Sequence, residues 1–527
     1  MPAGSRLRSR SASVRRNRLL TTTAVAVGIV FLFPLGYLAW STLALGGDLW
    51  STVFARAALD PLVNSLVLAT ATTVACGVLG FAAAWLVVRT DISGRPVWRV
   101  VLALPLVIPS FVGATAVLAA FGRGGLVPWL PRLDGFWGAF VVLTLLSYPY
   151  VYLPTAARLS TTAPRFEEAS RLLGGRTLRT IRQVVWPQVR GSVSAGMLLV
   201  FLYVLSDFGA VALMRYDTIT RVIFSSRLFD RATSLSLGLV LALLALAVAS
   251  AARITTPGAA DVSRDRQVRY RAGHWAWLGQ TYLVVLVGLA LIAPIAVFTA
   301  WTVRGSSTIG VGYSGLGDDL GFLLQPAVNS AIAATVTAVV AAFVVLPVAY
   351  AVVRVGRWVT GAAAAAVSSV FALPGLVVAL AIVFWAIAAP GPLTNLYQSF
   401  PLLIAAYVLH FGAQSLRASQ AAVSQVSNTY DEAAQTLGAG AFRRFVTVEL
   451  PLIRPGVVAG AGLVMLSTLK ELPATLLLAP IGFQTLATKI WGAAEDGFFA
   501  EVGVTSLVLI LLSALLTWLF IVRREPV

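Results

Sequence analysis

Charge is scarce in this 527-residue chain: 11% of its residues are charged, against 58% that are hydrophobic. A soluble domain carries about 25% charged residues, so a string of water-soluble domains is excluded despite the length. Cysteine is scarcer still. Cys76 stands alone, which rules out a disulfide scaffold. Histidine occurs only as His274 and His410, too few for a Cys/His zinc site, so no metal site is expected on this chain. Lysine occurs twice, as Lys470 and Lys489, followed by Glu471 and Ile490. A Gly-Lys-Ser/Thr phosphate loop is therefore absent. The chain is not expected to be an enzyme or to bind a cofactor, and any ATP it depends on is hydrolysed by a partner.

What the sequence does have is long apolar runs. Twelve cores of the length needed to cross ~30 Å of hydrocarbon fall at 19–43, 62–88, 97–121, 136–157, 193–214, 232–252, 275–303, 327–353, 360–389, 400–416, 456–480 and 500–522. The expected fold is an all-α polytopic membrane protein. Its +18 net charge might suggest nucleic acid, but the location of the charges argues for a lipid bilayer instead. With the N-terminus placed inside, 29 of the 39 Arg and Lys fall on cytoplasmic segments, so the positive-inside bias expects both termini in the cytoplasm. One outer loop resists the trend, with Arg215, Arg221, Arg227 and Arg231 partly offset by Asp217 and Asp230.

The chain also repeats itself. Glu168-Ala169-Ser170, Gly174 and Pro187 recur as Glu432-Ala433-Ala434, Gly438 and Pro451, all at an offset of 264 residues. Pro61, Asn64, Ser65 and Pro109 match Pro326, Asn329, Ser330 and Pro374 at 265. Six spans per copy is an even number, so the two repeats run parallel, about an axis along the membrane normal. The expected organisation is a basic cytoplasmic tail (1–18), a first six-helix repeat (19–255), a cytoplasmic linker (256–273), a second repeat (274–522) and a short cytoplasmic tail (523–527).

Each repeat has one long cytoplasmic loop after its fourth span: a short amphipathic helix, a glycine break, a basic helix and a proline. An interfacial helix lying on lipid is one explanation. For Glu432 a capping box begun by Thr429 is another. Neither explains why both copies place Glu-Ala and Gly at the same spacing. Glu168-Ala169-Ser170…Gly174…Val184-Val185-Trp186-Pro187 and Glu432-Ala433-Ala434…Gly438…Val448-Glu449-Leu450-Pro451 resemble the signature of permease subunits of ATP-binding-cassette importers. The first copy departs from it at Ser170 and Trp186. The resemblance implies a type I importer permease with both halves fused in one chain of a bacterial inner membrane. It also implies that Glu168, Ala169, Gly174, Pro187, Glu432, Ala433, Gly438 and Pro451 form two coupling helices. Each would sit in one of two ATPase copies that hydrolyse the ATP, while an extracytoplasmic binding protein delivers substrate. Lys470-Glu471-Leu472-Pro473-Ala474 and Phe483-Gln484-Thr485 further resemble ferric-iron permeases, and thiamine and phosphonate permeases share much of that block.

Three ionisable residues fall within spans. Asp207 and Glu471 correspond at offset 264, with Lys470 beside the latter. Burial there is costly, so such groups mark a translocation pathway by default. Alternatively, Lys470 and Asp207 form an ion pair that locks the halves together. The helices are expected to break near Gly209 and Pro473. His410, at the end of the tenth span, reads as interfacial packing. A twelve-helix proton-coupled secondary transporter is the competing class: Asp91-x-x-Gly94-Arg95 supplies half of its loop motif, but this class has no account of the paired loops.

Overall fold

In the computed structural model the described residues are 3–45, 56–122, 124–127, 129–162, 164–173, 177–255, 269–271, 273–307 and 321–520. The expected C-terminal tail and Gly174 lie outside them, as does most of the linker. The described chain is helical, and its extended pairing is confined to a bridge between Thr90 and Tyr270. Among the described residues nine helices are long and apolar enough to cross a membrane, including Ala58–Arg89, Gly135–Leu159, Phe322–Val355 and Phe442–Leu469.

Three of the expected spans differ in form. The third and ninth are each two helices: Arg95–Val107 with Ser110–Phe121, bent by 88°, and Trp358–Ala372 with Gly375–Ala388, bent by 102°. Both breaks fall at the paired prolines. Ile108 (ψ 118°) and Leu373 (ψ 144°) are extended, because the ring of a following proline disfavours the helical region for the residue before it. Pro109 and Pro374 then cap the next helix. The tenth span is part of Phe400–Gln425; its His410, Gln414 and Arg417 keep that helix below the apolarity of the others. The helix continues well past 416, so His410 stands in its middle and not at its end.

The chain packs as two compact units that cut across the repeats. One comprises Met1–Gly46, Asp319–Lys489 and Leu511–Val527; the other Gly47–Asp318 and Ile490–Ile510. Within the first unit the N-terminal helix Ala3–Leu43 packs on Trp358–Ala372, with Phe33 edge-on to Trp385. Within the second, Ala293–Ser307 packs on Ser110–Phe121, and Trp301 Nε1 donates to the Ala119 carbonyl at 2.8 Å. The opening helix of each repeat thus packs in the unit that holds most of the other repeat.

The fifth and eleventh spans stop short of their expected ends. Trp186–Ser206 ends at Asp207, and a short helix Gly209–Leu213 follows; Leu450–Leu469 ends at Lys470, followed by Pro473–Leu478. The breaks expected near Gly209 and Pro473 are therefore present.

Candidate functional site

Each duplicated loop begins with a nine-residue helix, Pro164–Leu172 in the first half and Asn428–Thr436 in the second. Glu168, Ala169, Glu432 and Ala433 are exposed on them. Leu172 and Leu173 are each 88% exposed and Leu437 is 87% exposed, so each arm ends in apolar surface open to a partner. The N-cap of the second helix is Ser427, whose side chain accepts from the Thr429 amide at 3.3 Å. Thr429 is inside the helix, so the capping-box explanation of Glu432 does not hold.

Gly438 ends the second arm for a backbone reason. It adopts φ +82°, a left-handed conformation that glycine enters without a Cβ penalty. The Gly438 amide bonds the Gln435 carbonyl at 3.0 Å and the Ala439 amide the Ala434 carbonyl at 3.1 Å, the paired bonds of a Schellman cap.

Beyond the break the chain runs without interruption into the membrane. Thr177–Thr180, the π-helical segment Ile181–Val185 and Trp186–Ser206 are contiguous, as are Ala441–Arg444, Phe445–Glu449 and Leu450–Leu469. Both π segments end two residues before a proline, Pro187 and Pro451. Proline has no amide hydrogen and its ring clashes with the carbonyl one turn back; the wider π turn is one of the adjustments that accommodates such a defect. The prolines of the duplicated signature therefore shape a rod and do not stop it. From Thr177 to Ser206 the rod spans roughly 45 Å at about 1.5 Å per residue.

At the far end of each rod stands a carboxylate. Asp207 is buried; its Oδ2 accepts from the Ala210 amide at 3.0 Å and the Val211 amide at 3.4 Å, and the Ser110 hydroxyl donates to Oδ1. Thr220 Oγ1 donates to the Asp207 carbonyl at 2.7 Å. In the second half Glu471 Oε1 accepts from the Ala474 amide at 3.1 Å and Thr475 Oγ1 donates to the Glu471 carbonyl at 2.8 Å. Gly375, which corresponds to Ser110 at offset 265, faces this carboxylate. A Cβ placed on Gly375 would lie 3.0 Å from Glu471 Oε1 and 3.2 Å from His410 Nε2. The longer Glu471 and His410 thus converge where the first half has a serine hydroxyl. Lys470 caps its helix and is half-buried. Ser110, Gly375 and His410 are absent from the expected site; the matched Pro109 and Pro374, one residue upstream of two of them, were the available signal.

The upstream repeat also has a use. Asn64 Nδ2 donates to the Asp217 carbonyl and Asn329 Nδ2 to the Gln484 carbonyl, both at 2.9 Å. Ser65 Oγ accepts from the Ile219 amide and Ser330 Oγ from the Leu486 amide, both also at 2.9 Å. In each half the Asn-Ser pair pins the loop after the broken span. In the loop that carries Arg215, Arg221, Arg227 and Arg231, Arg221 pairs with Asp217. Asp230 accepts from the amide and hydroxyl of Thr233, and these bonds hold its carboxyl below the usual range. Arg95, the basic residue of the half-motif in the second-to-third loop, donates to the Val87 and Val88 carbonyls at 2.9 and 3.2 Å, so it closes the end of its own preceding helix.

Two similar sets of apolar helices, each with an exposed arm joined by a continuous rod to a broken span, define a duplicated helical membrane permease. The chain belongs to the family described as binding-protein-dependent transport system inner membrane component, whose model matches residues 76–261 and again 334–524. That membership overturns the secondary-transporter alternative. The chain is 28% identical over 516 residues to the Fe(3+)-transport system permease protein FbpB 2 of Haemophilus influenzae, covering 94% of this chain and 96% of that one. It is 24% identical over 428 residues to the putative ferric transport system permease protein FbpB 1 of the same organism, covering 76% and 67%. It is also 30% identical over 226 residues to the molybdenum transport system permease protein ModB of Mycobacterium tuberculosis, covering 40% and 85%.

Proposed function

We propose that this chain is the membrane permease subunit of an ATP-driven importer for ferric iron. Two copies of a partner ATPase engage its cytoplasmic arms, and an extracytoplasmic binding protein delivers the substrate. The observation that carries the reading is similarity along both halves to a permease named for Fe(3+) transport, over 94% of this chain. The relative named for molybdenum matches 40% of it. Both termini face the cytoplasm in this reading, as the distribution of arginine requires.

The mechanism follows from the rods. Glu168 and Ala169 on one arm, Glu432 and Ala433 on the other, stand exposed beside apolar side chains that an ATPase surface would cover. When ATP draws the ATPase pair together the arms move with it. Gly438 allows the sharp turn that keeps the second arm short, and Gly174 holds the matching position in the first half of the sequence. Pro187 and Pro451 lie where each rod enters the membrane, so displacement of an arm is delivered to the break at Asp207 or Glu471 as rigid-body motion. Asp207, Glu471 and Lys470 line the route that opens and closes there.

Affinity purification of the tagged chain from native membranes tests this reading. An ATPase at two copies per chain, lost on Glu168→Ala with Glu432→Ala, is expected, together with iron on a co-purifying binding protein. Molybdate, thiamine or a phosphonate on that protein would replace the substrate and keep the class. Gly174→Leu with Gly438→Leu is expected to abolish uptake and leave membrane insertion intact. Asp207→Asn with Glu471→Gln is expected to impair uptake without releasing the ATPase; unchanged uptake kinetics would make those residues purely structural.

A further inference from the structure

The residue before the first signature glutamate is buried. Glu167 and Arg89 are both 0% exposed, and their side chains pair at 2.7 Å. Arg89 is the last residue of the span-forming helix Ala58–Arg89, and its guanidinium also donates to the Thr162 hydroxyl. The third member comes from the segment joining the two halves: Tyr270 OH donates to Glu167 Oε2 at 2.8 Å. Its position is set by backbone and ring alike. The Tyr270 amide donates to the Arg89 carbonyl at 2.8 Å, Thr90 and Tyr270 form the bridge, and the ring lies 5.5 Å from that of Trp85. A few residues later the chain enters the helix Ala276–Val287, where Tyr282 OH donates to the Leu79 carbonyl at 2.7 Å on the helix that ends at Arg89.

The second arm is held differently. Asp431, which corresponds to Glu167 at offset 264, pairs with Arg444 at 2.7 Å, with the two side chains 20% and 11% exposed. Arg444 belongs to the same loop, at the start of the second rod. Its counterpart Thr180 in the first loop shares a hydrogen bond with Ser170 at 2.9 Å. Arg354, the counterpart of Arg89 at offset 265, donates to the Val426 carbonyl at 3.0 Å.

We propose that the inter-repeat segment positions the first coupling helix through Tyr270, acting on Glu167 and Arg89, and so makes the two arms unequal in stiffness. The inference rests on the reading of these loops as coupling arms. Its physical basis is desolvation. A buried carboxylate needs each of its donors, because the alternative is an unsatisfied charge away from water, so the guanidinium and the phenol together restrict the arm to one orientation. The Asp431–Arg444 pair, 20% and 11% exposed, keeps some contact with competing water and restricts its arm less. Tyr270, Arg89 and Glu167 are positioning residues; the contact with the ATPase is made by the exposed face of the same helix.

The test uses two equivalent exposed sites, Leu173 and Leu437, in a Cys76→Ala background; Cys76 is the sole cysteine of the chain and is buried. A nitroxide on Leu173→Cys or Leu437→Cys reports the motion of each arm in the full-length chain. Tyr270→Phe removes only the hydroxyl and keeps the ring against Trp85, so misfolding does not confuse the result. The expected outcome is faster nitroxide motion at 173 and none at 437. With the ATPase bound, uptake per ATP hydrolysed should fall about twofold to tenfold. Glu167→Gln, which retains an acceptor for the phenol, should fall between wild type and Tyr270→Phe with Glu167→Ala. Equal mobility changes at both sites, or none at 173, would overturn the proposal. The spectra need no ATPase, so they decide the clamp even if none co-purifies, an outcome that would instead remove the importer reading.

Discussion

The two halves close the same break with different atoms. In the first, a short carboxylate at Asp207 is met by the Ser110 hydroxyl and two backbone amides. In the second, a carboxylate one methylene longer reaches the space left by Gly375, where His410 also stands. The two aligned positions are complementary in size: the longer acid, Glu471, faces Gly375, and the shorter one, Asp207, faces Ser110. The arms show the same pattern, a fully buried pair in one copy and a partly exposed pair in the other. Duplication preserved the backbone breaks, which proline and glycine impose locally. It let the side chains around them diverge, which gives one chain two unlike halves.

The largest expected effect separates the arms. Arg89→Met leaves Glu167 buried with its ion-pair partner gone, and breaking a buried pair costs about 3–5 kcal/mol. Asp431→Asn acts on a pair that water still reaches and should cost less. Thermal unfolding of both variants in detergent measures the difference, and similar midpoints would show that the arms are held equally.

Next come the two carboxylate sites. Ser110→Ala leaves a buried acid one donor short, a loss of about 1.5–3 kcal/mol for a hydrogen bond to a charged group. Gly375→Ser brings a Cβ to 3.0 Å from Glu471 Oε1, and overpacking of this kind costs about 1–3 kcal/mol. Adding Glu471→Asp should recover part of that loss by recreating the first-half arrangement. A double-mutant cycle on uptake and unfolding reads the coupling, and additive effects would break the comparison.

The smallest effect lies at the arm's end. Gly438→Ala must hold φ +82° with a Cβ, at a cost of about 1 kcal/mol. It should slow uptake less than Gly438→Leu and leave expression unchanged.

The duplicated loops, the paired prolines and the breaks after Ser206 and Leu469 were all legible in the residues, because glycine and proline act on the backbone within a few positions of themselves. The count of straight spans was not. Mean apolarity over 97–121 or 360–389 does not register a turn at one proline. The prolines at 187 and 451 follow the basic helices in the sequence, and only the structure shows each helix passing through them by widening to a π turn. Asp207 and Glu471 were visible as charges in apolar runs, whereas Gly375 offers no chemistry of its own and matters only through what surrounds it. Glu167 was visible only as a polar residue beside the signature, since its partners lie 78 and 103 positions away in the chain.

By itself, the sequence determined that this chain lives in a membrane, that it is built twice, and that two of its helices break near Gly209 and Pro473. Composition, periodicity and the stereochemistry of glycine and proline are properties of neighbouring residues. Only the tertiary structure decided which helix of one repeat packs in which unit, that Tyr270 completes the burial of Glu167, and that a missing side chain at 375 makes room for a longer acid. Those outcomes depend on desolvation and close packing between residues far apart in the chain, and such contacts exist only once the helices have come together.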